Sequence, residues 1–222
     1  MSVFSVGYSD FDAPFDGRGV FCELFNIGRN LRYVSSIHEV DAVLLWGGAD
    51  ISTSLYKETP ADASWGPAEP SMRDLYEWHI LREAVKAKRP IIGVCRGAQL
   101  ICAFAGGKLV QNMTGHHGDH DVLTHDKKIL TTKSAHHQMM FPYNVNHDLL
   151  AWCEEPLSTI YEPQAWYTDG FDKATDKEPE VVYFPDINAM AIQGHPEWDT
   201  KDSPFNQWVF EQIRNYCFKK AC

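Results

Sequence analysis

Pro90-Ile91-Ile92-Gly93-Val94-Cys95-Arg96-Gly97-Ala98-Gln99-Leu100 decides the fold of this chain. A short apolar run ends in Gly-x-Cys-x-Gly, and an apolar helical pattern follows at once. This predicts a buried strand that feeds directly into a helix, through a turn that admits only small residues around its middle position. Cys95 is then held out at the carboxyl end of the strand and the amino end of the helix. Helix amino ends favour anions, and the thiolate is the nucleophilic form of cysteine. The geometry is that of a nucleophile elbow, with Cys in place of Ser. Taken alone, a Cys after a buried strand is more often a packed thiol.

A nucleophile needs a base, and the base needs an orienting group. Ala189-Met190-Ala191-Ile192-Gln193-Gly194-His195-Pro196-Glu197 reads as a further strand that ends in His-Pro-Glu. Two residues apart and just past a strand end, His195 and Glu197 can both point to the top of a sheet. Cys95, His195 and Glu197 then form a candidate triad of nucleophile, base and orienter. By themselves His195 could be a satisfied surface histidine and Glu197 a solvated loop acid.

Outward from these motifs, Asp41-Ala42-Val43-Leu44-Leu45-Trp46 is an apolar run that ends in Gly47-Gly48, the pattern of a buried parallel strand and a tight loop. Residues 49 to 70 read as a long loop. Ser71 caps a predicted helix from Met72 to Lys88, with Asp74 completing an approximate capping box, and Pro90 stops it. Val3 to Tyr8 and Tyr33-Val34 read as strands, and Gly19 to Leu31 as a helix. Residues 108 to 165 suggest smaller strands and loops, and 166 to 180 a polar surface loop. Val181 to Phe184 and Met190 to Gln193 form a strand pair, and Pro204 to Phe218 closes the chain as an amphipathic helix. Alternating strands and helices predict an α/β three-layer sandwich with a mainly parallel central sheet, as one domain over residues 1–222. In such sheets sites lie at the carboxyl ends of strands, where Gly47-Gly48, Cys95 and His195 all fall.

The 222 residues carry a net charge of −10, which argues against nucleic acid and against an anionic membrane surface as partners. No signal-like leader and no apolar run of transmembrane length is evident. The six cysteines (Cys22, Cys95, Cys102, Cys153, Cys217, Cys222) form no CxxC pair, so free thiols in a reducing cytoplasm are expected. Cys102 reads as a packing residue. His116-His117-Gly118-Asp119-His120-Asp121, followed by His125-Asp126, is rich in metal-ligand types, but its spacing fits no defined site. The expectation is no metal and no cofactor.

Gly-x-Cys-x-Gly-x-Gln with a downstream Gly-His-Pro-Glu resembles the class I glutamine amidotransferase superfamily. Arg73-Asp74, Cys95-Arg96-Gly97-Ala98-Gln99 and Ser134-Ala135-His136-His137-Gln138 narrow the resemblance to the gamma-glutamyl-gamma-aminobutyrate hydrolase branch, peptidase C26. It runs from about Val43 to Trp198. The fold it implies is flavodoxin-like, and the chemistry is acyl transfer from a gamma-glutamyl amide through a thioester. Backbone N–H groups of Arg96 and Gly48 would form the oxyanion hole. The resemblance places Gln99 on the glutamyl group and His136, His137 and Gln138 along the same pocket. A structural hydrogen bond is an equal reading of Gln99. The Arg96 side chain either serves the substrate or pairs with a helix acid such as Asp74. His-rich loops after the nucleophile helix occur in similar hydrolases without a structural metal.

The chain departs from the family pattern at Ser52-Thr53-Ser54, where a Pro is usual, at the bulky Trp46, and from Ile160 to Phe184. These segments surround the substrate mouth. Three functions stay open: a free-standing hydrolase of gamma-glutamyl amides or glutamine, a glutaminase that hands ammonia to a separate synthetase or amide ligase, and a non-catalytic module on the same fold. A homodimer is also compatible with the sequence.

Overall fold

A computed structural model describes residues 3–6 as backbone, and residues 37–62, 64–162 and 177–218. The helix expected over 19–31, the Tyr33-Val34 strand, Cys22, Trp166 and Cys222 lie outside these residues. In chain order the strands are β1 (Val3–Val6), β2 (Ala42–Leu45), β3 (Ile91–Val94), β4 (Lys108–Val110), β5 (Asn112–Met113), β6 (His120–Thr124), β7 (Ile129–Thr132), β8 (Met139–Phe141), β9 (Asp148–Cys153), β10 (Tyr161–Glu162), β11 (Pro179–Phe184) and β12 (Ala189–Ile192). The described helices are α1 (Met72–Lys86), α2 (Arg96–Phe104) and α3 (Pro204–Cys217).

Eight strands form one sheet in the order β1-β2-β3-β12-β11-β9-β6-β7. The pairings β1–β2, β2–β3 and β3–β12 are parallel. From β12 outward the sheet continues through antiparallel pairings. The parallel core is the part read from sequence, since its strands are short unbroken apolar runs joined by helices. The β11–β12 pair is the one expected from Val181 to Phe184 and Met190 to Gln193, whereas no local signal specifies how β9, β6 and β7 add to it.

Alternation along the strands divides the core into two layers. Val43, Leu45, Ile91, Ala189 and Ala191 pack with Ile80, Leu81 and Ala84 of α1 and with Leu100, Ile101 and Ala103 of α2. Ala42, Leu44, Trp46, Ile92, Val94, Met190 and Ile192 turn to the other face, against Phe205, Trp208, Val209 and Ile213 of α3. Helices thus cover both faces, which gives the three-layer sandwich. Each fully buried aliphatic side chain contributes about 1.5–3 kcal/mol, and a one-residue slip would exchange the faces.

The helix ends follow their sequence signals. Ser71 Oγ accepts from Asp74 N and the Asp74 carboxylate accepts from Ser71 N, a complete capping box. Helix α1 stops at Lys86, two residues before the expected end, and Lys88 takes a positive φ of 54° ahead of Pro90. Ser203 caps α3, with Pro204 in its first turn. Among the described residues no helix is long and apolar enough to cross a membrane. Cys95, Cys102, Cys153 and Cys217 are all free thiols and all buried.

Candidate active site

Cys95 joins β3 to α2 with φ 51° and ψ −109°, a conformation that costs a non-glycine residue strain. The turn is crowded on both sides. A Cβ on Gly93 would lie 2.5 Å from Gly97 C and 2.6 Å from Ile101 Cδ1. A Cβ on Gly97 would meet the Leu45 carbonyl, 2.8 Å from its carbon. Side chains at either position would therefore push the helix off the sheet. The elbow is fixed from the neighbouring strand, where Ile192 O accepts from Cys95 N at 2.8 Å.

His195 leaves the end of β12, the next strand in the sheet, and opens a 3₁₀ turn over Pro196–Trp198. Its Nδ1 lies 2.7 Å from Glu197 Oε1, and both side chains are buried. Asn206 of α3 holds this turn by donating to Pro196 O and Thr200 O, both at 2.8 Å. Gly47 packs against Cys95 and His195. A Cβ there would stand 3.2 Å from His195 Cε1, 3.5 Å from Cys95 Cβ and 3.9 Å from Cys95 Sγ. The imidazole is therefore beside the thiol, with Glu197 on its far nitrogen. Burial alone would lower the proton affinity of His195, but interactions with Cys95 and Glu197 outweigh it and raise its pKa to about 10. The Trp198 ring stacks on His195 with 3.7 Å between centroids and 2° between planes.

The loop after β2 is held by a buried charge network. Arg73 Nη2 donates to Trp46 O at 3.1 Å and Gly47 O at 3.0 Å, and its Nε to Glu77 Oε1 at 2.8 Å. Arg96 pairs with Asp74 Oδ1 at 2.6 Å and with Glu77 Oε2. Of the two roles weighed for the Arg96 side chain, the structure adopts the ion pair with Asp74 and adds Glu77 as a second partner. Removing one member of such a network strands a buried charge, at a cost of about 3–5 kcal/mol. The network ties α1, the Gly47-Gly48 turn and α2 into one unit.

A cleft of about 730 Å³ opens over this unit. Gly47, Gly48, Asp50, Trp65, His195 and Trp198 are among its walls. Gln99 is buried, and its Nε2 donates to Gln138 O at 3.2 Å, the structural bond that was the alternative to substrate contact. Gln138 is buried too, donating to Gln111 O at 3.2 Å. His136 Nδ1 is engaged on Gln138 O at 2.8 Å, and its other nitrogen faces Glu180. His137 alone of this motif reaches the cleft rim, with Nε2 3.0 Å from Asp50 Oδ1 and its ring 4.5 Å from that of Trp65.

Asp50 and Trp198 were not singled out from the sequence, and Arg73 was noted without a role. Their signal was position, since Asp50 and Trp198 lie in the loops that leave β2 and β12 and Arg73 opens α1. The expected surface loop over 166–180 is corrected at its end. Glu178 and Glu180 are fully buried, because His116, His120 and Tyr161 converge on their carboxylates.

A parallel α/β core with an elbow cysteine and a His-x-Glu pair at the ends of adjacent strands is the arrangement of the class I glutamine amidotransferase fold. A solved structure described as the glutaminase domain of Trypanosoma brucei CTPS with bound acivicin matches 99% of this chain and 94% of its own, with TM-score 0.59 and 14% identity. The Peptidase C26 family model matches residues 20–156. A glutamine amidotransferase-like protein of Lactococcus lactis, YvdE, is 31% identical over 188 residues, covering 79% of this chain and 74% of that protein. The carbamoyl phosphate synthase small chain of Pasteurella multocida is 29% identical over 132 residues, 60% of this chain and 30% of that one. The chain belongs to the Peptidase C26 family.

Proposed function

We propose that this protein hydrolyses a gamma-glutamyl amide through a Cys95 thioester. The observation that carries the proposal is the buried Cys95–His195–Glu197 arrangement across adjacent strand ends. His195 takes the Cys95 proton, and the thiolate attacks the gamma carbonyl. The tetrahedral oxyanion is received by backbone N–H groups of Arg96 and Gly48. A trans peptide points its N–H opposite to its C=O. Arg73 holds the Gly47 carbonyl from one side, so the Gly48 N–H is directed away from Arg73. On collapse the C–N bond breaks and His195 returns the proton to the leaving amine. Water, deprotonated by His195, then releases glutamate and the free thiol. Glu197 keeps the imidazole in the required tautomer.

Asp50 fits the acyl half of this substrate. It lines the cleft, one oxygen engages His137, and Oδ2 is buried without a hydrogen-bond partner. The free alpha-ammonium of a glutamyl group supplies what that oxygen lacks. The leaving side faces Trp65, which is 79% exposed at the mouth. Trp65→Ala is therefore expected to reorder the amines. It should lower kcat/KM for apolar gamma-glutamyl amines by roughly 10-fold or more while affecting glutamine least. A panel of amides assayed in parallel checks this, and a uniform loss across the panel would place Trp65 on the acyl side instead.

A second reading rests on the similarity to a carbamoyl phosphate synthase small chain and to a CTPS glutaminase domain. There the amine is ammonia and the acceptor is a separate synthetase or ligase. Glutaminase turnover with and without candidate partners separates the two. Strong stimulation by one partner favours the subunit reading, and full activity alone favours the free-standing hydrolase.

A further inference from the structure

We propose that His116, His120, Cys153 and Glu180 bind one divalent ion of the zinc type, as a structural site in the antiparallel wing. The loop spacing that argued against a metal considered only the His116 to His125 segment. The fold brings two further ligands to it from other strands. His120 begins β6, Cys153 ends β9 and Glu180 lies in β11, three strands that are neighbours in the sheet.

Distances support a single coordination centre. Glu180 Oε1 lies 3.3 Å from His116 Nδ1, 3.1 Å from His120 Nε2 and 3.8 Å from Cys153 Sγ. Cys153 Sγ lies 4.0 Å from His116 Nδ1. All four ligand atoms fall within 4.8 Å of one another. A tetrahedral zinc ion, with its usual bond lengths, spaces its ligand atoms roughly 3.3–3.8 Å apart. Small side-chain rotations close the remainder.

The surroundings match a metal site in three further respects. First, His116 Nε2 is 3.0 Å from Glu178 Oε2 and Nδ1 is 3.3 Å from Glu180 Oε1, so Nδ1 is the nitrogen on the Glu180 side and would ligate once an ion displaces its proton. Glu178 is itself fixed by the Leu157 and Ser158 N–H groups at 2.9 and 3.0 Å and by the Tyr161 hydroxyl. This is the carboxylate–histidine–metal relay that orients ligating imidazoles. Second, two atoms beside the centre are buried without hydrogen-bond partners: Glu180 Oε2 and His136 Nε2. His136 Nδ1 donates to Gln138 O, and its Nε2 faces Glu180 Oε1 at 3.5 Å. Both orphaned atoms adjoin Glu180, and a bound cation would give its second carboxylate oxygen a partner. Third, a Cys153 thiolate and the Glu180 carboxylate supply the two negative charges of the ligand set, while the Glu178 charge behind His116 is held by its own donors. None of these residues lines the cleft, so the ion would not act in the proposed hydrolysis.

The test uses tag-free full-length protein, with metal content and Co(II) absorption as readouts. Protein prepared with zinc is expected to retain about one ion per chain and to lose Tm when a strong chelator removes it. Co(II)-loaded protein should show a thiolate-to-cobalt charge-transfer band, which Cys153→Ser abolishes. His120→Ala, at the most accessible ligand, should lower the bound metal while leaving the fold intact by circular dichroism. Glu178→Gln should weaken zinc binding by roughly 10- to 100-fold. Two results would overturn the site. One is a Tm indifferent to zinc and chelator with no charge-transfer band, which makes the cluster a buried imidazolium–carboxylate network. The other is metal binding unchanged in both Cys153→Ser and His120→Ala.

Discussion

Cys95→Ala is expected to lower kcat for gamma-glutamyl amide hydrolysis by roughly 10⁵- to 10⁶-fold, the loss seen when an enzyme loses a nucleophile that acts as one unit with its base. The fold should survive. Cys95 sits at a φ of 51° that alanine tolerates no worse, and its backbone bond to Ile192 O does not depend on the thiol. Substrate binding should change little, because the Asp50 carboxylate and the Gly47-Gly48 turn are untouched. Steady-state rates with matched circular dichroism check this. Activity of the alanine variant near the wild-type level would mean that the cleft works through another group.

Glu197→Gln should produce the second large effect, a fall in kcat of roughly 10²- to 10⁴-fold, since the base loses its tautomer and its counter-charge. The pH profile carries more information than the rate. In the wild-type protein the His195 pKa is raised to about 10 despite burial, by Cys95 and Glu197. The activity should therefore show an alkaline limb near pH 10, where the His195 ring, coupled to Cys95 and Glu197, loses its proton. Removing the Glu197 charge takes away one of the contributions that raise it, so the limb should move toward neutrality. The same sign applies to stability. A folded-state pKa above the unfolded value of 6.5 stabilises the fold fully below 6.5, and that contribution is lost as pH rises through about 10. Rate–pH profiles of both proteins decide the matter. An unmoved limb would mean that Glu197 does not act through His195.

The parallel half of the molecule was legible because its signals are local. Pro90, the apolar run after it and the glycines flanking Cys95 specify a strand, an elbow and a helix within eleven residues. His195 and Glu197 could be placed because they follow the next such strand. The β11–β12 pair was legible too, but the rest of the antiparallel wing was not, since the places of β9, β6 and β7 in the sheet depend on register between segments far apart in the chain. For the same reason Glu178 and Glu180 read as surface acids, although the structure buries them against histidines sixty residues earlier in the chain. His136 and Gln138 were drawn toward the pocket by a motif resemblance. Their side chains satisfy buried carbonyls of Gln138 and Gln111, which no sequence pattern announces. Asp50 escaped notice because a lone acid in a loop is usually solvated. Only the cleft reveals that one of its oxygens lacks a partner.

The most direct test of the central claim is labelling with a glutamine-like electrophile, a chloroketone or diazo ketone, followed by mapping of the modified peptide. A nucleophile at the elbow, with His195 beside it as base, predicts about one label per chain, located on Cys95, protected by glutamine or a gamma-glutamyl amine, and absent from Cys95→Ala. The other described thiols are buried away from the cleft, and burial raises the pKa of Cys102 and Cys217 to about 12, so they should stay unmodified. Labelling that persists in Cys95→Ala, or that falls mainly on Cys22 or Cys222, would contradict the assignment of Cys95 as the nucleophile.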